Sequence, residues 1–282
     1  MKDDRAKSEL RKTWEAAAPG WARWEHVVSA GLADATDTLL DMAGIGPGMR
    51  ILDLACGAGS QTIQSARRVG PDGTVVASDI SATMLDHLRR NADGAGLRNI
   101  EPLHCAADEI DGTQPPFDAA ISRLGLMLFP APRTAVEAAR RALKPGGRFA
   151  ALVFTTPAAN PFMVQPMAIL LRHAGKSPPG PGQPGIFALG GEGVLEGLLR
   201  DGGLTGIETR TVKAFLEVPG TADALEMMQQ AFGAYRAVVA DLDDAARSRA
   251  WDDVRDCIAQ FETAGGFRAE LEFVIGAGAR AA

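Results

Sequence analysis

Cysteine is scarce in this chain. Cys56, Cys105 and Cys257 are the only three among 282 residues. They are too far apart for a C-x-x-C pair or a disulfide framework, which excludes a small disulfide-stapled fold and points to a reducing compartment. Long apolar runs are also missing, since none approaches the roughly 18 residues a membrane helix needs. The opening residues, Met-Lys-Asp-Asp-Arg, lack the apolar core of a signal peptide, so a cytoplasmic location is the expectation. Positive charge is short as well: the net charge is −6 and the pI about 5.3. The only basic clusters are the arginine pairs at 67–68, 89–90 and 140–141, each on a predicted helix. No basic face for a nucleic-acid partner emerges. The four histidines, His26, His87, His104 and His173, are scattered without metal-ligand spacing, and no metal site is predicted.

The length suits one large α/β domain with insertions. Its organising stretch is Arg50 to Gln61, Arg-Ile-Leu-Asp-Leu-Ala-Cys-Gly-Ala-Gly-Ser-Gln. Ile51, Leu52 and Leu54 form a short apolar run, then a glycine turn, then an amphipathic pattern on Ile63, Ala66 and Val69. That is a buried parallel strand feeding a helix. Gly57 and Gly59 let the backbone turn sharply and let a ligand lie against it. Asp53, at the strand's carboxyl end, would repel a pyrophosphate but could orient a water or hold an ammonium group. Thr62 stands where a dinucleotide fingerprint wants its third glycine. Asp79 ends the next apolar strand, placed to meet the two hydroxyls of a ribose. The pattern suits an adenosine with a short zwitterionic tail better than a bridging pyrophosphate.

With these motifs the chain resembles the class I S-adenosylmethionine-dependent methyltransferases. Asp-Leu-Ala-Cys-Gly-Ala-Gly at 53–59 is similar to their first motif and Asp79 to their ribose-binding acid. Phe117-Asp-Ala-Ala-Ile-Ser-Arg123 is similar to their fourth strand, and Leu143-Lys-Pro-Gly-Gly-Arg-Phe149 to the turn before their fifth. Together with Trp14-Glu-Ala-Ala-Ala-Pro-Gly-Trp21, they place the likeness in the small-molecule branch that includes the ubiquinone/menaquinone C-methyltransferases. The resemblance implies S-adenosylmethionine as cofactor, S-adenosylhomocysteine as product, and transfer of a methyl group to a small-molecule acceptor. It implies a cofactor site of Asp53, Gly57, Ala58, Gly59, Asp79, Ile80, Met84, Ala106, Ala107, Asp108, Ser122 and Arg123. The family usually carries an Asp or Asn before the alanine that follows the third strand. Here Ala106-Ala107 stands in that place, so the Ala107 N–H remains for the adenine while Asp108 is displaced by one position.

Strands alternating with helices predict a Rossmann-like α/β fold with helices on both faces of a mostly parallel sheet. Seven strands are expected, near 50–55, 74–79, 100–105, 117–122, 147–155, 207–215 and 270–275; the resemblance implies that the last is antiparallel. Residues 1–47 are predicted as an N-terminal helical lid and 48–155 as the cofactor-binding core. Residues 156–282 complete the same domain, with lid or insertion segments at 156–200 and 220–262. Ser177 to Gly185 is a Pro/Gly loop without a core of its own. Cys56, Asp79, Ala106 to Asp108 and Ser122–Arg123 all fall at carboxyl ends of strands, where ligands of such sheets bind.

Chemistry in such a site needs donor and acceptor held in line. Arg123 is the leading catalytic candidate, since a guanidinium at the end of the fourth strand could hold a phenolate, enolate or carboxylate; a structural ion pair with nearby acids is the competing reading. His173, just before the Pro/Gly loop, is a second candidate, weighed against a surface histidine. His104 is expected inside a buried strand. Cys56 and Cys105, at neighbouring strand ends, are the thiols that could serve a thiophilic acceptor such as arsenite. Trp14, Trp21, Phe162, Met163, Met167, Phe187, Met227, Met228 and Phe232 form apolar lid segments, which point to a small, largely apolar acceptor methylated on oxygen or carbon. The alternatives are a non-catalytic cofactor-binding protein and a nicotinamide oxidoreductase; the missing third glycine and Asp53 speak against the latter.

Overall fold

The computed structural model describes residues 2–111, 115–178, 180 and 183–282. Residues 179, 181 and 182 of the Pro/Gly loop lie outside the described residues. Two helices, α1 (Lys2–Gly31) and α2 (Ala33–Met42), precede the sheet. Then follow β1 (Arg50–Leu54), α3 (Ser60–Val69), β2 (Thr74–Asp79), α4 (Ala82–Gly94), β3 (Ile100–His104), β4 (Phe117–Arg123), α5 (Pro132–Ala142) and β5 (Leu143–Phe154). The remainder runs α6 (Pro161–His173), α7 (Val194–Asp201), β6 (Thr205–Val218), α8 (Thr221–Ala231), α9 (Gly233–Val238), α10 (Asp244–Ile258), β7 (Glu262–Thr263) and β8 (Gly266–Ala279).

The sheet has the order β3-β2-β1-β4-β5-β8-β6, with the two-residue β7 paired to β8. Strands β1 to β5 are mutually parallel, and β8 runs antiparallel between β5 and β6. The expected seven strands are present with an antiparallel last one, and β7 adds an eighth. Four boundaries differ from expectation. The Lys144-Pro-Gly-Gly147 turn lies inside β5, where the pairing with β4 shifts register between Phe117 and Ala119. Strands β6 and β8 each span 14 residues, longer than the apolar patterns that announced them. The helix expected at 221–240 breaks at Phe232 into α8 and α9. His104 is exposed, because β3 is the edge strand; its ring nitrogen Nε2 meets the Ile80 carbonyl at 3.1 Å.

Central strands are buried on both faces, which explains the unbroken apolar run of β1: Ile51, Leu52 and Leu54 are wholly inaccessible. Ser81 caps α4 by accepting from the Met84 N–H at 3.1 Å, as its sequence position predicts. In the motif around β4, Asp118 works at the opposite end of the strand from the site. It accepts from the Arg50 N–H at 2.8 Å and pairs with Lys144 at 2.6 Å.

Helix α1 is 30 residues long and passes through Pro19 without ending. It lies across the carboxyl ends of the strands and packs on α8 and α9. Gly20 permits this: a Cβ there would sit 2.0 Å from the Gln230 carbonyl oxygen. Trp24 Nε1 donates to Gln230 Oε1 at 2.9 Å in the same contact. Ala at position 20 would raise helix propensity by about 1 kcal/mol, but a clash with backbone cannot be relieved by a rotamer change and costs about 1–3 kcal/mol. We therefore predict that Gly20→Ala destabilises the protein by up to about 2 kcal/mol in urea unfolding; a gain in stability would show that α1 is not seated this closely.

Candidate active site

The chain order runs outward from β1 through β2 to β3 and then returns to β4 and β5 on the other side. The crevice between β1 and β4 is therefore the switch point where ligands of such sheets bind. Both strands leave it through left-handed non-glycine residues, Ala55 with φ 56° and Leu124 with φ 63°. A side chain in that region costs roughly 1–2 kcal/mol, and such strain gathers at functional sites. Gly57, with φ 57°, turns the backbone so that its α-carbon faces Trp21; a Cβ there would lie 3.4 Å from Trp21 Nε1.

Three adjoining cavities fill the crevice. The outermost, about 40 Å³, is bordered by Asp79, Ile80, Cys105, Ala106, Ala107, Asp108 and Phe129. The middle one, about 70 Å³, is bordered by Cys56, Gly57, Gln61, Asp79, Ile80, Met84, Arg123 and Gly125. The innermost, about 170 Å³, is apolar and is lined from α1, α6 and α9, by Ile186, and by the inner faces of β6 and β8. Leu10, Trp14, Trp21, Leu124 and Leu128 border the middle and innermost cavities alike. Trp14 and Trp21 meet edge to face there, 5.7 Å between centroids.

Asp79 is buried and borders both the outermost and the middle cavity. Its two oxygens accept one N–H each, from Gly57 and from Ser81, both at 2.9 Å. Burial pushes its pKa up, and those two N–H groups oppose the shift. Each oxygen keeps a further lone pair for a ligand hydroxyl. Asp53 is wholly inaccessible and borders none of the cavities. It accepts from Thr62 Oγ1 at 2.6 Å and from Gln61 Nε2 at 3.4 Å. Gln61 in turn reaches the cleft, so Asp53 acts at one remove. Ala58 is buried against Ala18 and Met84. Gly59 serves packing, since a Cβ there would lie 2.1 Å from Leu88 Cδ1. Ser122 Oγ is buried and has no partner among the described residues, and it lies beside Gly125 at the floor of the cleft.

The two catalytic candidates are placed otherwise than expected. Arg123 borders the middle cavity, but its guanidinium turns toward α2 and the start of α3. It donates to Thr36 Oγ1 at 3.0 Å and to Ser60 Oγ. Burial lowers its pKa, while Glu25 and Asp53 hold the charge in place. Among the described residues its direct partners are two hydroxyls, and the nearby acids act on it through their charge without an ion-pair contact. His173 lies at the end of α6 with Nε2 at 2.7 Å from Asp253 of α10, and it lines none of the cavities. Neither Cys56 nor Cys105 is poised as a thiolate: burial raises both, Cys105 to about 12. Among the described residues no cluster suits a metal ion.

Helix α1 closes the cleft with charged contacts. Glu15 Oε1 accepts from the Ala82 N–H at 2.7 Å, at the start of α4. Glu25 Oε1 accepts from the Ser60 N–H at 2.8 Å, at the start of α3, and its other oxygen accepts from Asn91 at 3.1 Å. Two carboxylates thus sit at helix N-termini, where the dipole favours them. Lys7 pairs with Asp108 at 2.5 Å across the outer cavity. Of the anticipated lid residues, Trp14, Trp21, Met163 and Phe232 line the apolar cavity, whereas Phe162, Met227 and Met228 are core. Sequence reasoning passed over Gln61, Leu124, Leu128 and Phe129, although the last three follow directly on β4 and the strand-end rule that selected Arg123 reaches them too. It also passed over Phe215, Leu271 and Phe273, which needed the full length of β6 and β8.

Residues 51–147 match the methyltransferase domain family. The ubiquinone/menaquinone biosynthesis C-methyltransferase of Pseudomonas aeruginosa (strain LESB58) is 34% identical over 122 residues, 43% of this chain and 48% of that protein. The chain spans about half the length of such curated relatives. Phosphoethanolamine N-methyltransferase 2 of Haemonchus contortus, solved with S-adenosyl-L-methionine, superposes with a TM-score of 0.52 at 17% identity, covering 88% of this chain and 53% of that one. The 4+2 cyclase SpnF superposes with a TM-score of 0.55 at 14% identity, covering 95% and 96%. These two share the fold, and their different names show that the fold alone does not set the reaction.

Asp53 carries a pH signature. Burial raises its pKa from 3.8 to about 7, with Thr62 and Gln61 opposing. The folded state therefore holds this proton more tightly than the unfolded one. The associated stability is fully present below about pH 4 and is lost as the pH rises through about 7. We predict that unfolding free energy falls between these limits by on the order of 4 kcal/mol more in the wild type than in Asp53→Asn. Equal pH slopes in the two proteins would remove Asp53 from this role.

Proposed function

We propose that this chain, which carries a class I S-adenosylmethionine-dependent methyltransferase domain, transfers a methyl group to a carbon or oxygen of a small single-ring aromatic acceptor. The observation that carries the reading is the apolar cavity of about 170 Å³ meeting the polar cleft at Trp14, Trp21, Leu124 and Leu128. An apolar cavity of about 150 Å³ accommodates benzene, so one substituted ring is the right size. The relatives named as ubiquinone/menaquinone C-methyltransferases favour ring carbon as the atom methylated and a quinone precursor as the ring.

The residues present fit the cofactor. Asp79 offers two lone pairs to the ribose hydroxyls. Ile80, Ala106, Ala107 and Phe129 border the space for the adenine, with Asp108 already engaged by Lys7. Gly57 and Gln61 border the end for the amino-acid part. When bound, the cofactor supplies an electrophilic methyl on a sulfonium, whose departure needs no acid; its charge is cancelled by an acceptor that enters as a phenolate, the acceptor's proton having gone to solvent, and in methylation of a ring carbon the displaced ring hydrogen leaves as a proton to solvent afterwards. The chain's own part is to hold the ring against that methyl and to exclude water. The described residues lining the apolar cavity include no carboxylate, amine or imidazole. Its two hydroxyls are committed: Tyr235 donates to the Met163 carbonyl at 2.5 Å and Thr13 to the Glu9 carbonyl at 3.0 Å. Burial raises the Tyr235 pKa further above its ordinary value. The acceptor must therefore be nucleophilic by its own electronics, as an electron-rich phenol or hydroquinone is.

Two measurements test this. Asp79→Ala should weaken S-adenosylmethionine binding in calorimetry by about 3 kcal/mol, the loss of two charge-assisted hydrogen bonds; unchanged affinity would refute the ribose assignment. Labelled methyl from S-adenosylmethionine should pass to single-ring phenols and hydroquinones. Turnover on tRNA, protein or polyanionic metabolites, with none on such rings, would overturn the acceptor class.

A further inference from the structure

Two tryptophans stand where the middle cavity meets the apolar one. Trp14 and Trp21, both on α1, line the two alike. Neither indole N–H has a hydrogen-bond partner among the described residues, whereas Trp24, three residues further along, gives its own to Gln230. Buried indole N–H groups find an acceptor as a rule. The N–H of Trp21, a half-buried residue, borders a cavity instead. Its place is defined: a Cβ on Gly57 would lie 3.4 Å from Trp21 Nε1, so the nitrogen faces the glycine turn. That turn borders the end of the cleft assigned above to the cofactor's amino-acid part.

The other side-chain donors around the middle cavity, the Trp14 indole apart, are committed. Gln61 Nε2 donates to the Cys56 carbonyl at 3.0 Å and to Asp53 Oδ1 at 3.4 Å. Cys56 Sγ donates to the Gly57 carbonyl at 3.6 Å. Arg123 is held by Thr36 and Ser60. Nor is the surrounding charge favourable to an anion. Burial raises the Cys56 pKa, and Asp79, Asp53 and Glu25 raise it further, so the field at this end is negative. A zwitterionic amino-acid group meets that field unequally. Its ammonium is attracted, while its carboxylate is repelled and needs a donor of its own. An indole N–H donates and never accepts, and a carboxylate only accepts.

We propose that the indole N–H of Trp21 donates to the cofactor's carboxylate, so that a neutral group on α1, rather than a cation, recognises that end. The inference rests on the S-adenosylmethionine reading above and adds to it a residue outside the glycine motif. The ring that makes this bond is also a wall of the apolar cavity, so the carboxylate helps to position the surface that the acceptor meets.

The test is calorimetry with S-adenosylhomocysteine and with S-adenosyl-3-thiopropylamine, the same molecule without its carboxylate. The wild type should bind the first about tenfold or more tighter than the second. Trp21→Phe keeps an aromatic ring and deletes the N–H. It should weaken S-adenosylhomocysteine about tenfold and leave the amine's affinity unchanged, which also reports that the variant is folded. A second readout needs no variant: one of the four tryptophan indole signals of the wild type should move downfield in proton–nitrogen spectra with S-adenosylhomocysteine and not with the amine. Equal weakening of both ligands by Trp21→Phe assigns the ring a packing role and overturns the inference. So does a variant that binds S-adenosylhomocysteine as the wild type does, and so do indole signals that respond to both ligands alike. In each of these cases the wild type still binds S-adenosylhomocysteine and the cofactor reading stands. If neither ligand binds the wild type, both fall.

Discussion

One buried guanidinium ties the site together. Arg123, at the end of β4, donates to Thr36 on α2 and Ser60 on α3, and faces Asp53 on β1 and Glu25 on α1. Five elements converge on it. A buried charge is tolerated only when paired and hydrogen-bonded, and removing one partner leaves the rest uncompensated. The position of α1 over the crevice therefore depends on a charge whose guanidinium is held by Thr36 and Ser60. The same cluster explains why Glu25, rather than a bound anion, takes the Ser60 N–H at the start of α3.

Much of the fold was legible because its signals are local. The apolar run of β1, the glycine turn after it, the Ser81 cap and the acid ending β2 each report on their own neighbourhood, and the alternation of strands and helices fixed the parallel order. Asp79 was legible for the same reason: a strand end in such a sheet is a ligand position whatever the rest of the chain does. The extent of β6 and β8 was not, because their pairing is long-range and exposed residues interrupt the apolar alternation along β6.

Side-chain direction was the other limit. Position at a strand end says that a residue is near the crevice, not which way it points. Asp53 and Arg123 both lie at the right level, yet both turn beneath α3 toward one another's fields. Gly59 matches a ligand-cradling motif and instead makes room for Leu88. His173 seemed free before a loop, but α10, remote in sequence, brings Asp253 to it. In each case the deciding partner comes from elsewhere in the chain, and one-dimensional spacing does not carry it.

Helix α1 contributes to the walls of all three cavities of the crevice: Lys7 and Leu10 to the outermost, and Leu10, Trp14 and Trp21 to the middle and apolar ones. It is also one continuous rod, unbroken at Pro19. A rod cannot open over one compartment and stay shut over the next. Under the methyl-transfer reading, donor and acceptor would therefore share one helix as a common wall, and a shift of that helix at either compartment would be felt at the other.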